Sequence, residues 1–109
     1  SLPSIQFENC IFTNVVNSNQ GASIYATNSV VSITGSTITG GHSSEGQIYA
    51  TQTSNLTITD TTFSNNKADG TACISLVDSS QVIMDNCTFT SNSGQTASAI
   101  AVLSGSKIL

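Results

Sequence analysis

Charge is what this sequence has least of. Only 7% of its 109 residues are charged, and with arginine absent, Lys67 and Lys107 are the sole basic side chains. Two lysines cannot build a phosphate-neutralising surface, which argues against nucleic acid as a partner. The net charge of -4 is mild, and no run of like charges marks a tail or a membrane-surface anchor. No apolar run approaches the roughly 18 residues that would span a bilayer. Ser1-Leu2-Pro3-Ser4 has neither the basic segment nor the apolar core of a secretion signal. The hydrophobic content of 38% suffices for one domain with a narrow core and is low for a globular one. In place of charge stand serine and threonine, about a third of the chain, with abundant asparagine. Such side chains solvate a surface, and in secreted proteins they accept glycans.

What is present is a repeat. An apolar-x-apolar element recurs as Ile5-Gln6-Phe7, Val31-Ser32-Ile33, Leu56-Thr57-Ile58 and Val82-Ile83-Met84, and begins again at Ile108, at spacings of 26, 25, 26 and 26 residues. A second element, Cys10-Ile11-Phe12, Ser36-Thr37-Ile38, Thr61-Thr62-Phe63 and Cys87-Thr88-Phe89, keeps the same rhythm. A third places Ala22/Ile24/Ala26, Gly46/Ile48/Ala50, Ala72/Ile74/Leu76 and Ser98/Ile100/Val102 on one face. A fixed period of this size marks a solenoid whose repeats bury their apolar faces only by stacking on one another.

Each stretch is short and alternates with period 2, so each repeat reads as three strands and not as a helix. The corner between the first two strands carries Asn9, Gly35, Asp60 and Asn86, residue types that tolerate a left-handed backbone. The corner before the first strand carries Ser29, Ser54, Ser80 and Ser106, whose hydroxyls can bond turn backbone. Between strands two and three the length varies, from twelve residues between Phe12 and Ile24 to ten between Ile38 and Ile48, which marks a loop. Like strands of successive coils pair in parallel, and parallel connections are right-handed. The expectation is an all-β, right-handed parallel β-helix of about four three-stranded coils, a single segment over residues 1–109.

Neither end supplies the polar cap that a solenoid needs. Ile5 and Phe7 open inside a first strand, and Lys107-Ile108-Leu109 begins another. Ile5, Phe7, Ile108 and Leu109 are therefore expected to meet further coils. The segment reads as an interior piece of something longer or as a unit that stacks end to end.

Two stretches extend the argument from pattern to kinship. Phe63-Ser64-Asn65-Asn66 and Phe89-Thr90-Ser91-Asn92 match the Phe-x-x-Asn half of the repeats in polymorphic outer-membrane autotransporters. Gly70-Thr71-Ala72-Cys73-Ile74 and the run from Gly94 to Ile100 resemble degenerate versions of their Gly-Gly-Ala-Ile half, while Val15 and Gly41 stand where the first two coils should have Asn. As a repeat type the chain also resembles pectate-lyase-like β-helices and large surface proteins of protists. The resemblance implies an extracellular or cell-surface protein, adhesive or fibrous; together with the uncapped ends and the scattered acids, the leading expectation is a non-catalytic structural or adhesive segment extended by end-to-end stacking or chain continuation into a fibre or surface layer. The competing readings are a fragment of a polysaccharide-degrading enzyme and an ice- or glycan-binding module.

An enzyme of that kind resembles this chain in fold but uses clustered acids, with Arg or Lys beside the sugar. Here Glu8, Glu45, Asp60, Asp69, Asp78 and Asp85 are scattered, Asp60 and Asp85 coming nearest to a pair. They read as turn acids, and His42 reads as a lone loop imidazole without a second ligand at metal spacing. No catalytic residue, metal or cofactor is expected. Cys10 and Cys87 share an inward column but lie three coils apart, about 14 Å, beyond disulfide reach. Cys73 reads as outward, beside Ser23, Gln47 and Ala99, either free or bridging to another chain.

Three surfaces remain. Asn55-Leu56-Thr57 and Asn86-Cys87-Thr88 are acceptor sequons, making Asn55 and Asn86 glycosylation candidates. Thr13, Thr37, Thr39, Thr62, Ser64, Thr88 and Thr90 form a flat hydroxyl array that resembles β-helical ice-binding surfaces and equally suits exposed strands or O-glycans. Tyr25, Tyr49, Cys73, Val77, Ala101 and Leu103 are expected to form a lateral apolar contact surface, with the two tyrosines stacked.

Overall fold

A computed structural model describes residues 3–109, so the reading of Ser1 and Leu2 lies outside the described residues. The chain winds through four strands per turn. The first coil runs β1 (Ser4–Glu8), β2 (Ile11–Thr13), β3 (Val16–Gln20) and β4 (Ile24–Thr27). The second runs β5 (Val30–Thr34), β6 (Thr37–Thr39), β7 (His42–Glu45) and β8 (Ile48–Thr51). The third runs β9 (Asn55–Thr59), β10 (Thr62–Ser64), β11 (Lys67–Ala68) and β12 (Ile74–Leu76). The fourth runs β13 (Gln81–Asp85), β14 (Thr88–Thr90), β15 (Ser93–Gly94) and β16 (Ile100–Val102), and β17 (Lys107–Ile108) opens a fifth. Each strand pairs in parallel with its counterpart one coil away. Four sheets result: β1-β5-β9-β13-β17, then β2-β6-β10-β14, β3-β7-β11-β15 and β4-β8-β12-β16.

The register is the one that the apolar repeat dictates. Ile5, Val31, Leu56, Val82 and Ile108 align in the first sheet, and Phe7, Ile33, Ile58 and Met84 in the next inward column. Phe12, Ile38, Phe63 and Phe89 align in the second sheet, and Ile24, Ile48, Ile74 and Ile100 in the fourth. Ile33, Ile48, Ile58, Phe63 and Ile74 are fully buried, so the core is a set of apolar columns running from coil to coil. Phe63 and Phe89 stack face to face at 4.8 Å with 4° between their planes. Such a pair adds about 1 kcal/mol beyond the area it buries.

The corners are held by polar ladders parallel to those columns. Asn9, Gly35, Asp60 and Asn86 all have positive φ, between 52° and 61°, where short polar side chains and glycine are tolerated. In the serine column, Ser29 N–H donates to Ser54 Oγ, Ser54 N–H to Ser80 Oγ and Ser80 N–H to Ser106 Oγ, at 3.0 to 3.1 Å. The Asn of the Phe-x-x-Asn element supplies another. Asn66, fully buried, accepts from Gly41 N–H at 3.0 Å and donates to Ile38 O at 3.0 Å, while Asn92 Oδ1 accepts from Asn66 N–H. One coil lower, where Gly41 replaces Asn, a Cβ would collide with the buried amide of Gln47. That amide donates to Val15 O at 3.5 Å and accepts from Ser23 Oγ at 2.6 Å. A glutamine from a different position thus occupies the space left by the missing side chain.

Two expectations change here. The connection read as a loop is a third sheet, making four strands per coil instead of three. Its strands bury little apolar surface, the inward residues being small, such as Ser43, Ala68 and Gly94, so backbone pairing alone defines them. The longest connection is accommodated in β3, whose register against β7 shifts between Asn17 and Gln20. Cys73 is the second change: it is fully buried, not outward. The backbone bends at Ala72 and Cys73 before β12, so period-2 alternation stops there and both residues face inward. Ser98, placed inward by the same extrapolation, is exposed.

Candidate binding face

The threonines of the second sheet lie in two outward columns. Thr37, Thr62 and Thr88 align below Ile11, and Thr13, Thr39, Ser64 and Thr90 align beside them. Ile11 is 74% exposed, so the first column begins with an apolar side chain and not a hydroxyl. Ser64 Oγ donates to Thr39 Oγ1 at 2.9 Å, which ties part of the array to itself.

The fourth sheet presents the tyrosines. Tyr25 and Tyr49 align in adjacent coils and stack at 5.4 Å with 18° between rings. Tyr25 is half-exposed and Tyr49 partly buried. The wider apolar patch expected around them does not form, because Cys73 and Ala101 are buried. Val77 is partly buried and Leu103 half-exposed. What gathers beside Tyr49 is acidic. Glu45 Oε2 accepts from Ser75 Oγ at 3.3 Å, and Ser75 is the cross-strand neighbour of Tyr49. Asp78 Oδ2 accepts from Thr51 Oγ1 at 2.7 Å, and Thr51 lies two residues beyond Tyr49 on the same strand. Burial raises the Tyr49 phenol above its usual pKa, and the charges of Tyr25, Asp78 and Glu45 push the same way. Both carboxylates were scattered acids in the sequence; their hydroxyl partners sit 30 and 27 residues away, so no local signal joins them.

The remaining candidates separate. Asp60 Oδ1 accepts from Asn86 Nδ2 at 2.6 Å, and Asp85 is in register with Thr59, so the two acids do not form a facing pair. His42 is exposed on β7, in a strand and not a loop. Among the described residues no three His, Cys, Asp or Glu side chains gather as metal ligands. Asn86 is exposed at its left-handed corner, while Asn55, at the start of β9, is partly buried. All three cysteines are free. Burial pushes the Cys73 thiol up to about 12, although a hydrogen bond with Asn66 works in the other direction, so at neutral pH it stays protonated and unreactive. At the rims, Ile5 and Ile108 are about half-exposed, Leu109 more so, and Phe7 packs edge-on against Phe12 at 5.6 Å.

The profile of the family described as right handed beta helix region matches residues 3–109. No curated protein and no solved structure matches the chain. Domains of this family occur in enzymes and in non-enzymes, and often in secreted or surface proteins. A match over almost every residue, on a chain whose strands wind through parallel stacked coils, makes this protein a member of the right-handed β-helix family.

Proposed function

We propose that this β-helix is a non-catalytic structural or adhesive element of an extracellular or surface protein, whose coils are continued at both rims by further coils. The observation that carries the reading is the pair of open sheet edges. Among the described residues β1 pairs only with β5 and β17 only with β13, and the apolar column between them ends in the exposed Ile5 and Ile108. Unpaired strand edges and an apolar cross-section are a template for another strand of the same kind. Flanking coils would satisfy it, and so would a second copy. In that second case β1 of one copy takes the place of β17 of the next, since Ile5 and Ile108 belong to one column. β17 is only two residues long and yields that place at small cost.

Sedimentation of the segment tests the reading. The unmodified protein should associate progressively with concentration, because such a contact repeats without closing. Ile5→Lys combined with Ile108→Lys should remain monomeric with an unchanged β-sheet spectrum. A wild-type chain that stays monomeric at high concentration would rule out self-stacking as the way the rims are covered.

A further inference from the structure

We propose that the Tyr49 face of the fourth sheet binds a quaternary ammonium group. Three features converge on it. The Tyr25 and Tyr49 rings form a stacked aromatic pair on an outward face, with Tyr25 half-exposed. The electron-rich face of an aromatic ring attracts cations. The Glu45 carboxylate is fixed beside Tyr49 by the hydroxyl of Ser75 and lies over Gly70, where any Cβ would collide with it. On the other side the Asp78 carboxylate is fixed by the hydroxyl of Thr51.

The charge is one-sided. β4, β8, β12 and β16 carry no lysine, and the two lysines of the chain lie on β11 in the third sheet and β17 in the first. The Tyr49 phenol is raised first by burial, with Tyr25 and then the Asp78 and Glu45 carboxylates pushing the same way, in keeping with both carboxylates lying near this ring. A neutral sugar could stack on the ring and donate hydroxyls to the carboxylates, but it would leave their two negative charges uncompensated. A hydrated metal ion would use the charges and leave the ring idle. A quaternary ammonium uses both, because its weakly hydrated methyl shell can meet the ring while its charge faces the carboxylates. A phosphocholine headgroup carries the same cation, but it brings a phosphate towards two carboxylates and should bind less well. The face therefore suits a free quaternary ammonium ion.

Nuclear magnetic resonance titration with tetramethylammonium chloride, against potassium chloride at equal ionic strength, tests this. The Tyr25 and Tyr49 ring signals should shift saturably, with a dissociation constant on the order of tens of millimolar for an exposed site. Phosphocholine should bind at least about twofold more weakly, as expected for repulsion between like charges. Glu45→Gln combined with Asp78→Asn keeps both hydroxyl partners and the side-chain shapes, and Asn suits the positive φ of position 78. That double variant should keep the wild-type fold spectrum and lose affinity at least about fivefold. Shifts no larger than those in potassium chloride would overturn the proposal, as would equal affinity in the double variant. So would tighter binding of phosphocholine, or ring shifts with a neutral oligosaccharide and none with the cation.

Discussion

Ile74→Asp is expected to unfold the coils around it. Ile74 is fully buried in the column of Ile24, Ile48 and Ile100, with Leu76 on the same strand also fully buried. A carboxylate there has no cation to pair with, and leaving it buried costs several kcal/mol. A domain of this size is stable by only about 5–15 kcal/mol in total. The thermal transition should therefore fall by more than about 15 °C or disappear, given about 4–8 °C per kcal/mol. Ile74→Val, which removes one methyl group, should cost only about 1 kcal/mol. An unchanged melting temperature for Ile74→Asp would mean that the fourth sheet is not in this register.

The second large effect is expected from a polar side chain. Asn66→Ala removes the acceptor of Gly41 N–H and the donor to Ile38 O, and it takes from Asn92 Oδ1 one of its two donors, the Asn66 Nδ2 at 3.1 Å, leaving the Asn66 backbone N–H. Each buried group left without a partner costs about 1–3 kcal/mol, so a total loss of about 3 kcal/mol or more should appear in chemical denaturation. Asn86→Ala is the control. Asn86 is exposed, and its loss should cost about 1 kcal/mol, mainly for holding alanine at positive φ. Equal effects at the two positions would mean that the internal amide ladder contributes nothing special.

The two cases show which parts of this fold can be read from a sequence. Ile74 was legible because Ile, Val, Leu and Phe recur with a fixed period and alternate along each strand. The corners at Asn9, Gly35, Asp60 and Asn86 were legible because a left-handed backbone restricts residue choice. The third sheet was not. Ser93–Gly94 and Lys67–Ala68 are held as strands by backbone pairing between coils, which leaves no pattern in their side chains. Cys73 was misplaced because alternation was carried back from Ile74 across a bend. Gln47 followed it, since the space that its amide fills is set by Gly41, a residue on the other side of β7. The carboxylates beside Tyr49 depend on hydroxyls from other strands, so only the folded coil brings them together.

Residue-resolved amide hydrogen exchange on dilute protein tests the central claim most directly, that each coil is held by its neighbours and that both rims are open. Protection should peak in the middle of the stack, at residues such as Ile58, Phe63 and Ile74, and fall towards β1 at one rim and β17 at the other. Uniform protection through β1 and β17, or a maximum at either rim, would contradict it.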